Sequence, residues 1–239
     1  NAGSFELLYR LDALSYLGYL LVIFSIKGDF RASQVEGPTR NGSYREVLRD
    51  RTFVKVAFAG FLYLTFGYAS LTGGLAIFIT NFLGLSPRWI GIVYGSNTIA
   101  IFILQGIVLK IIERRDTYVV LRWVGWIWAL SWAIAGIAAI THDFLAGVLI
   151  SLSQVIFAVG EMIWSPTSPS LTNYLAPDAL RGRYNAIMGI QWNVAGVIGP
   201  AMVGILLGNR LSNLWIVLMI VGSLGPTFIF RSIGTSREN

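Results

Sequence analysis

Long charge-free runs, separated by short polar clusters, set the rhythm of this chain. They cover 13–26, 56–87, 89–109, 123–141, 144–160, 184–209 and 211–230, with 162–177 continuing the fifth run past a single acid, Glu161. About 20 apolar residues carry a helix across a bilayer, and most of these runs reach that length. The first is short, which places Arg10 and Asp12 at its interfacial end, where an arginine can snorkel. The alternating apolar and polar pattern of a lipid-facing strand is absent. The pattern predicts an all-α, polytopic membrane helix bundle with seven transmembrane helices.

Composition sharpens this reading. Hydrophobic residues make up 55% of the chain and charged residues only 13%, about half the charge share of a soluble domain. Mean hydropathy is +0.65. The net charge of +6 does not indicate nucleic acid, because the basic residues form no single run but alternate with the apolar spans. Fifteen of the eighteen Lys and Arg fall between spans one and two, three and four, five and six, or after span seven. Only Arg10, Arg88 and Arg210 fall on the other side. That asymmetry puts the first side in the cytoplasm, so the N-terminus of this chain is expected outside and the C-terminus inside. With no cysteine, disulfides and Cys-ligated metals are excluded. His142 beside Asp143 reads as a solvated turn.

Residues 27–55 form the one long polar segment, ending YREVLRDRTF. They are expected to be a cytoplasmic linker closing as a short amphipathic helix. On this division 1–26 is the last helix of a preceding half, 56–230 a six-helix half and 231–239 a cytoplasmic tail. The chain starts at Asn1, with an external N-terminus, and it is read as a fragment whose five earlier spans are missing.

Candidate chemistry concentrates in 144–208. Glu161 is the one acid inside an apolar run, and a charge at the middle of a membrane helix costs roughly 2.5–3.5 kcal/mol on insertion scales. A proton-coupled carrier needs such a group; a packing carboxylate satisfied by a neighbour is the alternative. Pro166 and Pro169 predict a broken helix end just beyond it, with a carbonyl freed near Met162. Asn97, Gln105, Gln154, Asn185, Gln191 and Asn193 are amides in apolar runs and should face the bundle interior, touching substrate or one another. Asn97 and Gln105, about 80° apart around a helix, can line one broad cavity. Tyr63, Tyr68, Trp164 and Trp192 could wall an amphipathic substrate or simply pack; Trp123, Trp126, Trp128 and Trp132 crowd one span. Gly196, Gly199, Pro200 and Gly204 promise close helix approach and a bend, as do the pairs Gly91–Gly95 and Gly204–Gly208. Arg181, Gly182 and Arg183 are expected at cytoplasmic helix ends, near negative dipole ends or lipid phosphates. No HExxH, GxSxG, Walker or Cys/His motif is present, so neither an enzyme nor a cofactor is indicated.

The stretches RLDALSYLGYLLVIF, YREVLRDRTFVKVAFAGFLYLTFGYASLTGGLAIFITNFLGLSP, WIGIVYGSNTIAIFILQGIVLKIIERR and GEMIWSPTSPSLTNYLAPDALRGRYNAIMGIQWNVAGVIGPAMVGILLG resemble, in that order, parts of a major facilitator superfamily transporter. They are similar to its sixth helix, linker end and seventh helix, eighth helix, and tenth helix through eleventh. The resemblance covers nearly the whole chain and is nearest to bacterial proton-linked drug-efflux carriers. Gly196, Gly199, Pro200 and Gly204 resemble the Gly-Pro motif that antiporter members carry on their fifth helix. After the eighth helix, where many members repeat a Gly-x-x-x-Asp-Arg core, this chain reads LKIIERRDTYVV.

The resemblance implies a secondary transporter of the bacterial inner membrane that exports small amphipathic molecules against protons by alternating access, with substrate near the midplane. Glu161 would couple the proton. Asn97, Gln105, Tyr63, Tyr68, Trp164, Gln191 and Trp192 would face substrate, and Pro166, Arg181–Arg183 and the glycines would serve gating and packing. A metabolite importer of the same fold, or a receptor or scaffold that moves nothing, are the competing readings. The charge split makes a direct prediction. A cysteine placed at Ser43, in this cysteine-free chain, should resist an impermeant thiol reagent in intact cells and react after permeabilisation. Labelling in intact cells would reverse the orientation.

Overall fold

A computed structural model describes residues 2–25, 43–69 and 71–238, with the side chains of 2–9, 11, 69 and 235–238 excepted. Among the described residues every regular element is helical. Helix α1 (Ala2–Ser25) belongs to a unit of its own, residues 1–39, and is apolar from Asp12 to Ser25. The remaining elements form a second unit: α2 (Tyr44–Val47), α3 (Arg51–Tyr63), α4 (Gly74–Ile77), α5 (Arg88–Ile112), α6 (Thr117–Ala138), α7 (Asp143–Leu175), α8 (Arg181–Gly208) and α9 (Ser212–Glu238).

Five helices, α5 to α9, are long and apolar enough to cross a membrane. The expected count of seven does not emerge in that form. The apolar part of α1 is shorter, and the run 56–87 is not one helix. It passes from α3 into a π-helical stretch, Leu64–Ala69, turns at Gly73, then resumes as α4 and a second π-helical stretch, Phe78–Phe82. Gly73 has φ +82°, which a side chain would make costly.

Other boundaries also differ from expectation. Residues 51–55 already lie in α3, capped by Asp50 Oδ1, which accepts from the Thr52 and Phe53 amides at 3.0 Å. The polar segment thus ends five residues early; 26–42 lie outside the described residues. Asp116 caps α6 in the same way. Each such cap contributes about 0.5–2 kcal/mol. The prolines at 166 and 169 do not break their helix: α7 continues through both to Leu175. A proline removes one backbone bond and bends a helix, but membrane helices absorb this because neighbours re-satisfy the freed groups.

Packing follows the logic of lipid, where helices gain nothing by hiding apolar surface from hydrocarbon and must fit closely instead. Helix α7 lies against α5 and α6, and α9 against α6 and α3. The close approaches occur at Gly67, Gly125, Gly147, Gly160 and Gly222, where an added Cβ would strike Trp128, Thr227, Trp89, Trp128 and Phe66 respectively. The glycines singled out by spacing behave otherwise. Around Gly91, Gly95, Gly196, Gly204 and Gly208 a Cβ would meet nothing within 4 Å among the described residues. The i, i+4 spacing shows that two small residues share a face; only the partner helix makes that face a contact.

Trp128 is the centre of the bundle. It is fully buried, stacks on Phe157 at 4.7 Å and 4°, and donates from Nε1 to the Phe157 carbonyl at 3.1 Å. Such aromatic pairs contribute about 0.5–1.5 kcal/mol beyond their buried area. Ser131 adds a second bond from α6 to α7, to the Ser153 carbonyl at 2.7 Å. Gly160→Val is therefore expected to lower stability by about 1–3 kcal/mol or more through overpacking against Trp128. Gly91→Ala should leave it unchanged or raise it slightly. Thermal unfolding of the detergent-purified protein distinguishes the two, and equal melting temperatures would contradict the packing.

Candidate functional site

Glu161 lies two helical turns beyond Gln154 and two before Ser168, so a polar stripe of period seven runs down one side of α7. Gln154 and Ser168 on this stripe are buried and Glu161 is partly so. Helix α5 supplies its partner. The Asn97 amide donates to Glu161 Oε2 at 2.7 Å and to the Gln154 carbonyl at 3.3 Å. A charge-assisted bond of this length is stronger than a neutral one, and it satisfies a carboxylate that bare helix packing would leave stranded.

Tyr68, in the first π-helical stretch, lines the same pocket as this carboxyl. The extra residue per turn of a π-helix shifts side chains around the axis. At the break that follows, the Leu71 carbonyl accepts the Tyr94 hydroxyl of α5 at 3.0 Å. Together these groups enclose a cavity of about 320 Å³ lined by Tyr68, Leu71, Thr72, Gly73, Tyr94, Asn97, Gln154 and Glu161. Glu161 is the one charged side chain on its wall.

A second, apolar cleft of about 130 Å³ lies on the other side of Tyr68, between the π-helical stretch and α8. Leu64, Tyr68, Thr72, Trp192, Ala195, Gly196 and Pro200 line it. Tyr68 and Trp192 meet here with ring centroids 5.4 Å apart. Tyr68 and Thr72 thus border both spaces.

Of the expected substrate residues, the fold brings Asn97 and Tyr68 to Glu161 and Trp192 to the cleft. It separates the rest. Gln105 is exposed on α5 and lines neither space; the 80° offset from Asn97 carries it off the α7 face. Tyr63 is fully buried, edge-on to both Trp128 and Trp164 at 5.3 Å, with its hydroxyl donating to the Leu121 carbonyl at 2.8 Å. Trp164 is buried beside it, and Gln191 is buried facing Gly60 of α3. None of these three lines either space. Asn193 bonds to its own helix, and Asn185 donates to Asn173 of α7 at 2.9 Å.

Among the gating candidates, Gly196 and Pro200 line the cleft, Gly199 is buried, and Gly204 is exposed. Pro166 borders a polar hollow with Lys110, Glu113, Arg115 and Thr117 at the basic end. Arg181, Gly182 and Arg183 form the first turn of α8, its positive dipole end rather than a negative one. Arg181 is held there by Asp178 at 2.5 Å, and Arg183 lies over the Tyr44 ring at 5.9 Å. Thr72, Tyr94 and the Leu71 carbonyl had no sequence signal as site groups, because they enter through the break in the 56–87 run.

Comparison with known proteins places this geometry in context. The family model described as Major Facilitator Superfamily matches residues 2–200. An uncharacterized MFS-type transporter of Bacillus subtilis strain 168, YttB, is 25% identical over 250 aligned positions, which cover 98% of this chain and 59% of that protein. The chain thus spans about three fifths of the length of the curated relative it matches. No solved structure matches it.

The Asn97–Glu161 pair can be weighed by a double-mutant cycle. Asn97→Ala should cost about 1.5–3 kcal/mol by withdrawing a donor from a charged group. In a Glu161→Gln background the same change should cost much less, giving a coupling above about 0.5 kcal/mol. Additive effects in unfolding measurements would mean the pair carries no interaction energy.

Proposed function

The chain belongs to the major facilitator superfamily, and from that premise we propose that it is part of a secondary active carrier that exchanges small amphipathic molecules for protons. The observation that carries the reading is Glu161, the one charged group among the described residues that line a pocket of the helix bundle, with its amide partner Asn97 and with Tyr68 on the same wall. An ionisable group at membrane depth is expensive and marks ion or substrate pathways. The adjoining cleft, walled by Tyr68, Trp192, Leu64 and Pro200, suits the apolar aromatic part of an amphipathic compound.

In this reading residues 1–26 close one half of the carrier, 27–55 link the halves, and 56–230 form the second half. Further helices, as in the longer relative, would provide the opposite wall of the cavity. Alternating access would come from rocking one half against the other around the midplane site. The break at Gly73 and the proline at 166 within α7 are where the backbone would yield. We place the protein in the bacterial plasma membrane, with its basic helix ends and C-terminus in the cytoplasm.

The test is Glu161→Gln in the intact transporter, which keeps shape and hydrogen bonding but cannot cycle charge. Uphill transport driven by a pH gradient in proteoliposomes should vanish, while substrate binding and folding persist. Glu161→Asp should retain part of the flux with a displaced pH optimum. Normal proton-driven accumulation by the Gln variant would reduce Glu161 to a packing residue. Absence of any proton-dependent flux in the unaltered protein would favour an uncoupled carrier or a scaffold.

A further inference from the structure

At the basic end of the bundle, the α5–α6 turn and the stretch of α7 beyond Glu161 leave a polar hollow of about 350 Å³. Lys110 lies in the last turn of α5, Arg115 in the turn that follows, and Thr117 opens α6. Thr167 and Ser170, three apart and so on one face of α7, supply two more hydroxyls. Leu109, Ile112 and Val120 line its apolar part. The hollow thus joins polar and apolar lining where two helices long enough to cross a membrane end. That is the level at which a phospholipid passes from headgroup to chains.

The donors of this hollow are not spent on the protein. Among the described residues, neither the Lys110 ammonium nor the Arg115 guanidinium has a carboxylate within ion-pair distance, although Glu113 lines the same space. Arg115 lies over the Trp123 ring at 5.8 Å. A guanidinium on a ring face keeps its N–H donors, which radiate in its own plane, for other partners. A tryptophan is also the residue that the membrane interface favours. The amides that open α6 cannot hold an anion instead, because Asp116 Oδ1 already accepts from Tyr118 and Val119. Any anion here is therefore held by side chains. Two cations and one acid, Lys110 and Arg115 against Glu113, leave the lining one net positive charge.

We propose that this hollow is a binding site for the headgroup of an anionic phospholipid of the phosphatidylglycerol type. Basic pockets between membrane helices take such headgroups. One phosphodiester carries the single negative charge that the lining lacks, and Lys110 and Arg115 donate to its oxygens. Thr117, Thr167 and Ser170 offer further hydroxyl donors. The Glu113 carboxylate accepts from the glycerol hydroxyls beyond the phosphate, a contact that a choline headgroup, with no donor, cannot make. The first methylenes of the chains lie against Leu109 and Ile112. Once occupied, the hollow ties the part of α7 that carries Pro166 to the α5–α6 turn through its ligand. The site stands apart from the exchange reading, since it needs only that α5 and α6 cross the membrane.

The experiment titrates the intact transporter in detergent with dioleoyl-phosphatidylglycerol or dioleoyl-phosphatidylcholine. Retained lipid is read by native mass spectrometry and stabilisation by thermal unfolding. Phosphatidylglycerol should be retained and raise the melting temperature, and phosphatidylcholine should do neither. Lys110→Gln with Arg115→Gln should weaken phosphatidylglycerol binding about tenfold or more. Arg49→Gln with Arg114→Gln removes the same charge from exposed positions outside the hollow. That pair should keep affinity within about twofold. Thr167→Val with Ser170→Ala, which leaves the charge unaltered, should weaken binding about threefold or more. Equal retention of the two lipids would overturn the proposal. So would an equal loss in the two charge-matched pairs, because binding would then follow overall charge and not this hollow. Displacement of the lipid by excess inorganic phosphate or glycerol 3-phosphate would overturn the lipid and assign the hollow to a free phosphate. The four positions with basic side chains are exposed, so these variants are expected to fold; lipid-free melting temperatures check this. Should the threonine and serine pair not fold, the two charge-matched pairs decide the question.

Discussion

Trp128 fills two notches at once, one left by Gly67 on the π-helical stretch and one left by Gly160 on α7. Its ring stacks on Phe157 and its indole N–H is spent on the Phe157 carbonyl, so it has one pose. Because Gly67 precedes Tyr68 and Gly160 precedes Glu161, that pose bears on the backbone beneath both residues. A residue at either notch with even a methyl group would drive the two backbones apart. In lipid no hydrophobic force would push them back together, since hydrocarbon solvates the exposed surface equally well.

The polar cavity can exist because its charge is answered locally. Asn97 spends its amide on Glu161 and on the Gln154 backbone, which ties α5 to α7 at two points. Tyr94 answers the carbonyl opened at Leu71 by the break in the preceding helix. At this break a side chain from a neighbour takes up the freed group, which is the condition for irregular backbone at membrane depth. Irregularity is therefore concentrated where the cavity lies, and α5, α6 and α9 stay regular around it.

The basic end of the unit and its middle differ in kind. At the basic end Asp50 caps α3 and accepts from Tyr184 of α8 at 2.9 Å, while Phe53 packs on Tyr184 at 4.2 Å. A small satellite core of Val47, Phe53, Ala57, Ala176, Leu180 and Tyr184 joins α2, α3 and the α7–α8 turn there. This end is held by specific polar and aromatic contacts. The middle is held by glycine notches and large rings, an arrangement that can move as blocks rather than deform continuously.

The pattern of apolar runs and polar clusters by itself determined the class, a bundle of apolar helices with charges at the helix ends, because each span must satisfy its backbone internally and charges must sit at the rims. It also marked Glu161, since an acid inside an apolar run costs too much to be incidental. Residue spacing could not decide which glycines touch anything, because the partner surface is written elsewhere in the chain; Gly160 and Gly67 abut one tryptophan, while a Cβ at Gly91 or Gly204 would meet nothing within 4 Å among the described residues. Nor could it show that 56–87 breaks into π-helical pieces, that α7 survives two prolines, or that Gln105 turns away while Tyr68 turns in. Those outcomes depend on which neighbour supplies a donor or fills a gap, and only the packed helices fix that.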